Sequence, residues 1–141
     1  MELQQKTKTD HNGLIPPYGG ELKNLIIKDK NLKNELISKA TYEFECSDRN
    51  ACDVELLMVG AFSPLGGFMD ENNYNSVIKN NRDTNGLLFG LPIVFDSNNE
   101  KVSAGETILL TYKKQKIAVL EVSSKWAVSY THLTLPTKRI V

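Results

Sequence analysis

Few residues of this chain are of the types that do chemistry, and their spacing argues against most of the chemistry they suggest. The two histidines, His11 and His132, stand about 120 positions apart, so no Ser-His-Asp or Cys-His arrangement is supported. Cys46 and Cys52 are the only cysteines. Their spacing, with no neighbouring His or third Cys, is not that of a zinc site, and they read as two reduced thiols. Asp53 and Glu55 would point ~200° apart around a helix, which keeps them from sharing one substrate. Asp70 and Glu71 fit the charges that open a helix. Lys113, Lys114 and Lys116 could meet a phosphate, but they read more simply as a solvated hairpin tip that blocks edge pairing. No Gly-rich phosphate loop of familiar spacing is present. Arg49 and Asp53, one helical turn apart, are able to pair.

Composition narrows the function further. Seventeen basic residues balance seventeen acidic ones in 141 residues, so no net field draws the chain to nucleic acid or anionic lipid. Fourteen of the basic residues are Lys and three are Arg, a poor mix for a dedicated phosphate or RNA binder. The length suits one domain with a real core. Met1–Asp10 is polar and unlike a signal peptide, and no window approaches the ~20 apolar residues of a membrane span. The expectation is a soluble, cytoplasmic protein.

The elements that must position these residues can be read along the chain. Residues 1–13 read as a frayed tail. Leu22–Lys28, with Leu25-Ile26-Ile27, fits a short strand. Asn31–Ala40 fits an amphipathic helix with Leu32, Leu36 and Ile37 on one face. Tyr42–Cys46 alternates as a strand does. Ser47 is placed to N-cap a helix over about Asp48–Val59, with Cys52, Leu56 and Val59 on one stripe. Asp70–Asn80 predicts a further helix whose apolar face is Tyr74, Val77 and Ile78. Leu91–Asp96 fits a strand with Pro92 near its start. Thr107–Tyr112 and Lys116–Val122 form the clearest hairpin, joined by Lys113, Lys114 and Gln115. Helices first and strands later favour an α+β fold over a doubly wound one.

Between the second and third helices runs Gly60-Ala61-Phe62-Ser63-Pro64-Leu65-Gly66-Gly67-Phe68-Met69. Three Gly and a Pro prevent an ordinary helix or strand, while two Phe, a Leu and a Met must be covered by something. This reads as a docking loop. Phe62, Ser63, Pro64 and Phe68, with Arg49 and Asp53, are the candidate interface residues; the alternative is that all six only hold the local fold.

Ile15-Pro16-Pro17-Tyr18-Gly19-Gly20, the Arg49-x-x-x-Asp53-x-Glu55 helix, the Gly60–Met69 loop and Gly86-Leu87-Leu88-Phe89-Gly90-Leu91-Pro92-Ile93 follow one another in register. In that order they resemble the N-terminal domain of the ATP sulfurylase (sulfate adenylyltransferase) family, over about Leu14–Trp126. The resemblance implies a PUA-like fold, a small, mostly antiparallel β-barrel with flanking helices. It also implies a parent reaction in which ATP and sulfate give adenosine 5′-phosphosulfate and pyrophosphate. The family's catalytic residues sit in a following α/β domain, on motifs of Gln-x-x-Arg-Asn and His-x-Gly-His type. Neither is found here; His11-Asn12-Gly13-Leu14 mimics the second but ends in Leu. The expectation is therefore a scaffold and docking domain with no catalytic, cofactor-binding or metal site of its own. MgATP would be a substrate of the catalytic domain, and that domain would be the partner. A self-sufficient PUA-like module binding RNA or protein is the alternative. Residues 127–141 resemble translated sequencing-adapter read-through and are expected to be a non-native tail, with a natural strand at Tyr130–Leu135 as the rival reading.

Overall fold

The computed structural model describes residues 14–97, 101–128 and 137–140. The frayed tail expected over 1–13, both histidines and the alternating stretch Tyr130–Leu135 lie outside these residues. Helices α1 (Lys30–Ser38), α2 (Asp48–Met58) and α3 (Glu71–Asn80) come first, with strand β1 (Tyr42–Glu45) between α1 and α2, and strands β2 (Phe95–Asp96), β3 (Thr107–Tyr112), β4 (Gln115–Glu121), β5 (Lys125–Val128) and β6 (Thr137–Ile140) follow. Each helix opens on a side-chain cap that satisfies an orphan amide. Asp29 accepts from Asn31 N–H, Ser47 from Asn50 N–H and Asp70 from Asn73 N–H. The cap expected at Ser47 is present, and Asp70 stands just outside α3 as its cap.

The sheet that carries the first core is mixed. β1 runs parallel to β3, and β3 pairs antiparallel with β4, in the order β1-β3-β4. β1 and β4 are its two edges, so it is open and not a closed barrel. A second sheet, β2-β6-β5, is antiparallel. The boundary expected at Trp126 falls inside β5.

The β3–β4 hairpin is tighter than its sequence suggested. Gln115 belongs to β4, leaving the two-residue turn Lys113-Lys114 with both φ positive, at 49° and 64°. That backbone matches the twist of a hairpin but is unfavourable for residues with a side chain. Glu45 helps to hold it, accepting from Thr111 Oγ1 at 2.5 Å and from Lys114 N–H at 3.4 Å. These bonds, the Thr111 hydroxyl first, hold the Glu45 carboxyl below the usual carboxylate range.

Two buried clusters form the core. One gathers Cys46, Ala51, Val54, Phe95, Val102, Ile108, Leu110 and Val122; the other gathers Leu57, Met69, Tyr74, Val77, Ile93, Val94 and Trp126. Phe95, fully buried, takes Phe44 edge-on at 5.0 Å and Phe68 at 5.4 Å. α2 joins the clusters through Ala51 and Val54 at one end and Leu57 at the other. This corrects the expected stripe: Cys52 is exposed, Leu56 is 40% exposed and Val59 53%. Both faces of α2 carry apolar residues at helical spacing. The face holding small Ala51 turns inward, and the bulkier stripe, roughly opposite, is left outside. In α3, Tyr74 and Val77 are buried as expected but Ile78 is not.

Two expected strands are absent or shortened. Residues 22–28 form none: Asn24 Oδ1 accepts from Ile26 N–H, a local bond that competes with a ladder, and the segment is tied to the body by Lys23 N–H to Ser63 Oγ and Leu25 N–H to Met58 O, at 2.9 Å each. From Leu91–Asp96 only Phe95 and Asp96 pair. α1 contains no buried residue. A groove of about 790 Å³ lies between Leu36 and Ile37 of α1, Leu25–Ile27 and the β4 side of the open sheet.

Candidate docking surface

The loop expected to dock begins as the end of a helix. Gly60, at φ 83°, follows the last turn of α2; its N–H bonds to Leu57 O at 3.2 Å, and Ala61 N–H bonds to Leu56 O at 2.8 Å. These are the two bonds of a Schellman termination, which needs a left-handed residue where Gly60 stands. Ser63 then ties the loop twice. Its hydroxyl donates to Gly60 O at 2.5 Å and accepts from Lys23 N–H at 2.9 Å, and the residue is 6% exposed. Met69 N–H closes the loop onto Ile93 O at 2.7 Å.

A second segment lies across this loop. Tyr18 to Leu25 forms a strap whose Tyr18-Gly19-Gly20 turn packs against Pro64 and Leu87. A Cβ placed on Gly19 would meet Pro64 Cγ at 2.7 Å and Leu87 Cδ1 at 3.2 Å. The Tyr18 hydroxyl donates to Leu88 O at 2.8 Å, and its ring meets Phe89 edge-on at 6.1 Å. A Cβ on Gly60 would meet Leu22 Cδ1 at 2.8 Å and Lys23 O at 2.9 Å. The stretch around Gly86 is itself set by buried Asp83, which accepts from Asn85 and Leu87 N–H at 2.9 Å each. Three of the four segments singled out in the sequence therefore meet in one place, and the Arg49-x-x-x-Asp53-x-Glu55 helix reaches it only through its C-terminal end.

The six candidate residues are not brought together. Phe62, Pro64 and Phe68 are half-buried and Ser63 is buried, with Phe62, Leu65 and Phe68 packed against the protein's own core. Arg49 is exposed and Asp53 half-buried in the first turns of α2, with Arg49 about 16 Å along the axis from Gly60. Arg49 and Asp53 form no close ion pair; the close pairs among the described residues are Lys23–Glu21 and Lys39–Glu35. Burial pushes the Asp53 carboxyl above its ordinary value; Arg49 opposes that and Asp96 adds to it. Cys46 is buried and its thiol is pushed up to about 11 by burial, then by Glu45, which keeps it unreactive. Among the described residues no three of His, Cys, Asp and Glu gather as metal ligands would, and no helix is long and apolar enough to cross a membrane.

Several of the outward-facing apolar side chains belong to the strap, the end of α2 and the 86–93 segment: Tyr18 and Leu22, Leu56 and Val59, and Leu88 and Leu91. Leu56 and Val59 were read from the sequence as one stripe of α2, and none of the six was read as a contact residue. The available signal was the second apolar face of α2 ending at a glycine.

This arrangement has known counterparts. The sequence profile of the PUA-like domain matches residues 15–135. The chain belongs to the PUA-like domain family. Among curated proteins, this PUA-like chain is 46% identical over 90 residues to a sulfate adenylyltransferase of Neurospora crassa, a match covering 62% of the chain and 16% of the relative. It is 34% identical over 123 residues to a sulfate adenylyltransferase of Vesicomyosocius okutanii, covering 84% of the chain and 31% of the relative. A solved structure described as a hexameric APS kinase from Thiobacillus denitrificans superposes with a TM-score of 0.73 at 29% identity, over 90% of this chain and 25% of that one. The chain thus spans less than a third of the length of either curated relative.

Proposed function

We propose that this PUA-like chain is the N-terminal part of a sulfate adenylyltransferase and serves there as a scaffold against which the catalytic part docks. One observation carries the reading: three of the four segments that resemble the family in sequence pack on one another around Gly60–Met69 at the C-terminal end of α2, instead of building a reactive site. The inward packing of Phe62, Ser63, Pro64 and Phe68 supports a role in shaping the docking surface from beneath. The open β1-β3-β4 sheet is read as part of the family's small barrel. In the parent reaction a sulfate oxygen attacks the α-phosphorus of MgATP and pyrophosphate leaves, chemistry that rests on positioning and charge stabilisation. Those groups belong, on this reading, to the catalytic part, and the whole works in the cytoplasm.

The test is sulfate-dependent release of pyrophosphate from MgATP. The chain alone is expected to give none, and turnover above a blank would overturn the reading. A second reading, a stand-alone module for RNA or protein, draws on the exposed Lys113, Lys114 and Lys116 at the hairpin tip. RNA affinity falling steeply with salt would favour it.

A further inference from the structure

The strap and the end of α2 present apolar side chains outward where the loop presents them inward. Tyr18, Leu22, Val59 and Leu88 are each more than half exposed, and Leu91 is 63% exposed. They are neighbours through the backbone that carries them. Tyr18 bonds to Leu88 O, Leu22 lies over Gly60, and Val59 precedes Gly60. The charged residues within the strap, Glu21 and Lys23, pair with each other at 2.9 Å, so the ribbon carries no net charge from them. A run of large apolar side chains with its charges internally paired marks a contact surface. The relatives also supply an occupant, because more than two thirds of their length lies outside the matched region.

We propose that this ribbon, centred on Leu22 and Val59, is where the remainder of a sulfate adenylyltransferase polypeptide docks, through an apolar, uncharged surface of its own. The inference rests on the reading above and moves the contact from the loop's aromatic residues to the strap that covers them. The Schellman turn at Gly60 and the Ser63–Lys23 bond are then positioning devices. They fix the strap to α2 so that Leu22 and Val59 stand side by side. The large groove beside α1 adjoins the ribbon, being lined by Leu25, Gly67 and Phe68 as well as by α1 and β4, but Leu22 and Val59 do not line it and the contact is assigned to the ribbon.

The experiment co-expresses the full chain with the V. okutanii polypeptide lacking its matched region, and follows carbene footprinting of side chains in the purified complex. Labelling of Leu22 and Val59 is expected to fall at least fivefold relative to the chain alone, while Leu32 on α1, 43% exposed, keeps its labelling. Leu22→Glu with Val59→Glu is expected to weaken the complex at least tenfold with an unchanged far-ultraviolet circular dichroism spectrum, and Leu32→Glu to leave it intact. A complex in which Leu22 and Val59 stay labelled overturns this inference and leaves the scaffold reading standing. Absence of any complex counts against both. Protection of the ribbon in the chain alone, with a doubled mass, would assign it to a second copy and also overturn the inference.

Discussion

Residues 60–69 and residues 25–38 are both rich in apolar side chains, yet the molecule treats them in opposite ways. The first has no regular structure and is held fast: a Schellman turn enters it, Ser63 is buried with two hydrogen bonds, and Met69 is tied to Ile93. The second contains a capped helix with an apolar face, and none of its residues is buried. Its Leu36 and Ile37 look across a groove of about 790 Å³. Regular secondary structure and anchoring are thus separate properties. An irregular segment tied at both ends and at a buried hydroxyl is held by those bonds, and a helix without a packed face depends on its own marginal propensity.

The comparison is broken most forcefully at α2, which feeds the loop. Leu57→Ala removes a side chain that is 4% exposed and is expected to cost about 2–5 kcal/mol. Leu56→Ala, on the outer face, should cost less than about 1 kcal/mol. Urea melts of both variants check the rotation of the helix, and equal losses would mean that α2 is turned otherwise.

Within the loop, Gly60→Ala forces a Cβ into Leu22 and the Lys23 carbonyl and a left-handed backbone onto alanine. A loss of about 1–3 kcal/mol is expected. Gly66 has neither a positive φ nor a neighbour within 4 Å, so Gly66→Ala should be neutral or gain up to about 1 kcal/mol. The same urea melts distinguish a braced position from a free one, and matching effects would erase the distinction.

A smaller effect belongs to Asp53. Its carboxyl has a folded pKa above the ordinary 3.8, with burial as the main cause, so the folded state holds the proton more tightly than the unfolded one. Stability from this group is therefore greatest at low pH and is lost as pH rises through and above 3.8. Asp53→Asn should stabilise the chain at pH 7 by less than about 1 kcal/mol, given its partial exposure, and should do nothing at pH 3. Melts at the two pH values test the sign.

Much of this architecture was legible in the residues. Ser47 and the alternation over Tyr42–Cys46 marked elements that exist, as did the Thr107–Tyr112 strand, because capping and period-two patterning act locally. The rotation of α2 was not legible, since Cys52, Leu56 and Val59 satisfy helical spacing as well as Ala51, Val54 and Leu57 do. Residues 22–28 looked like a strand because Leu25-Ile26-Ile27 has the composition of one. What prevents it is Asn24 bonding locally and a backbone tie to Met58, a tertiary fact. The loop's covering was anticipated only as a need: Phe62 and Phe68 had to be buried somewhere. That the cover is the protein's own core, with a strap from residues 18–25 laid on top, depends on contacts up to 70 positions apart in sequence.

The most direct test of an inward-facing, bracing loop is the urea melt of Phe62→Ser. If Phe62 packs against the core that holds Leu57, Met69 and Trp126, the variant should lose about 1–3 kcal/mol, with the self-association of the chain unchanged. A variant of undiminished stability that is more soluble than the parent would show Phe62 to be an exposed contact residue, and would contradict the account.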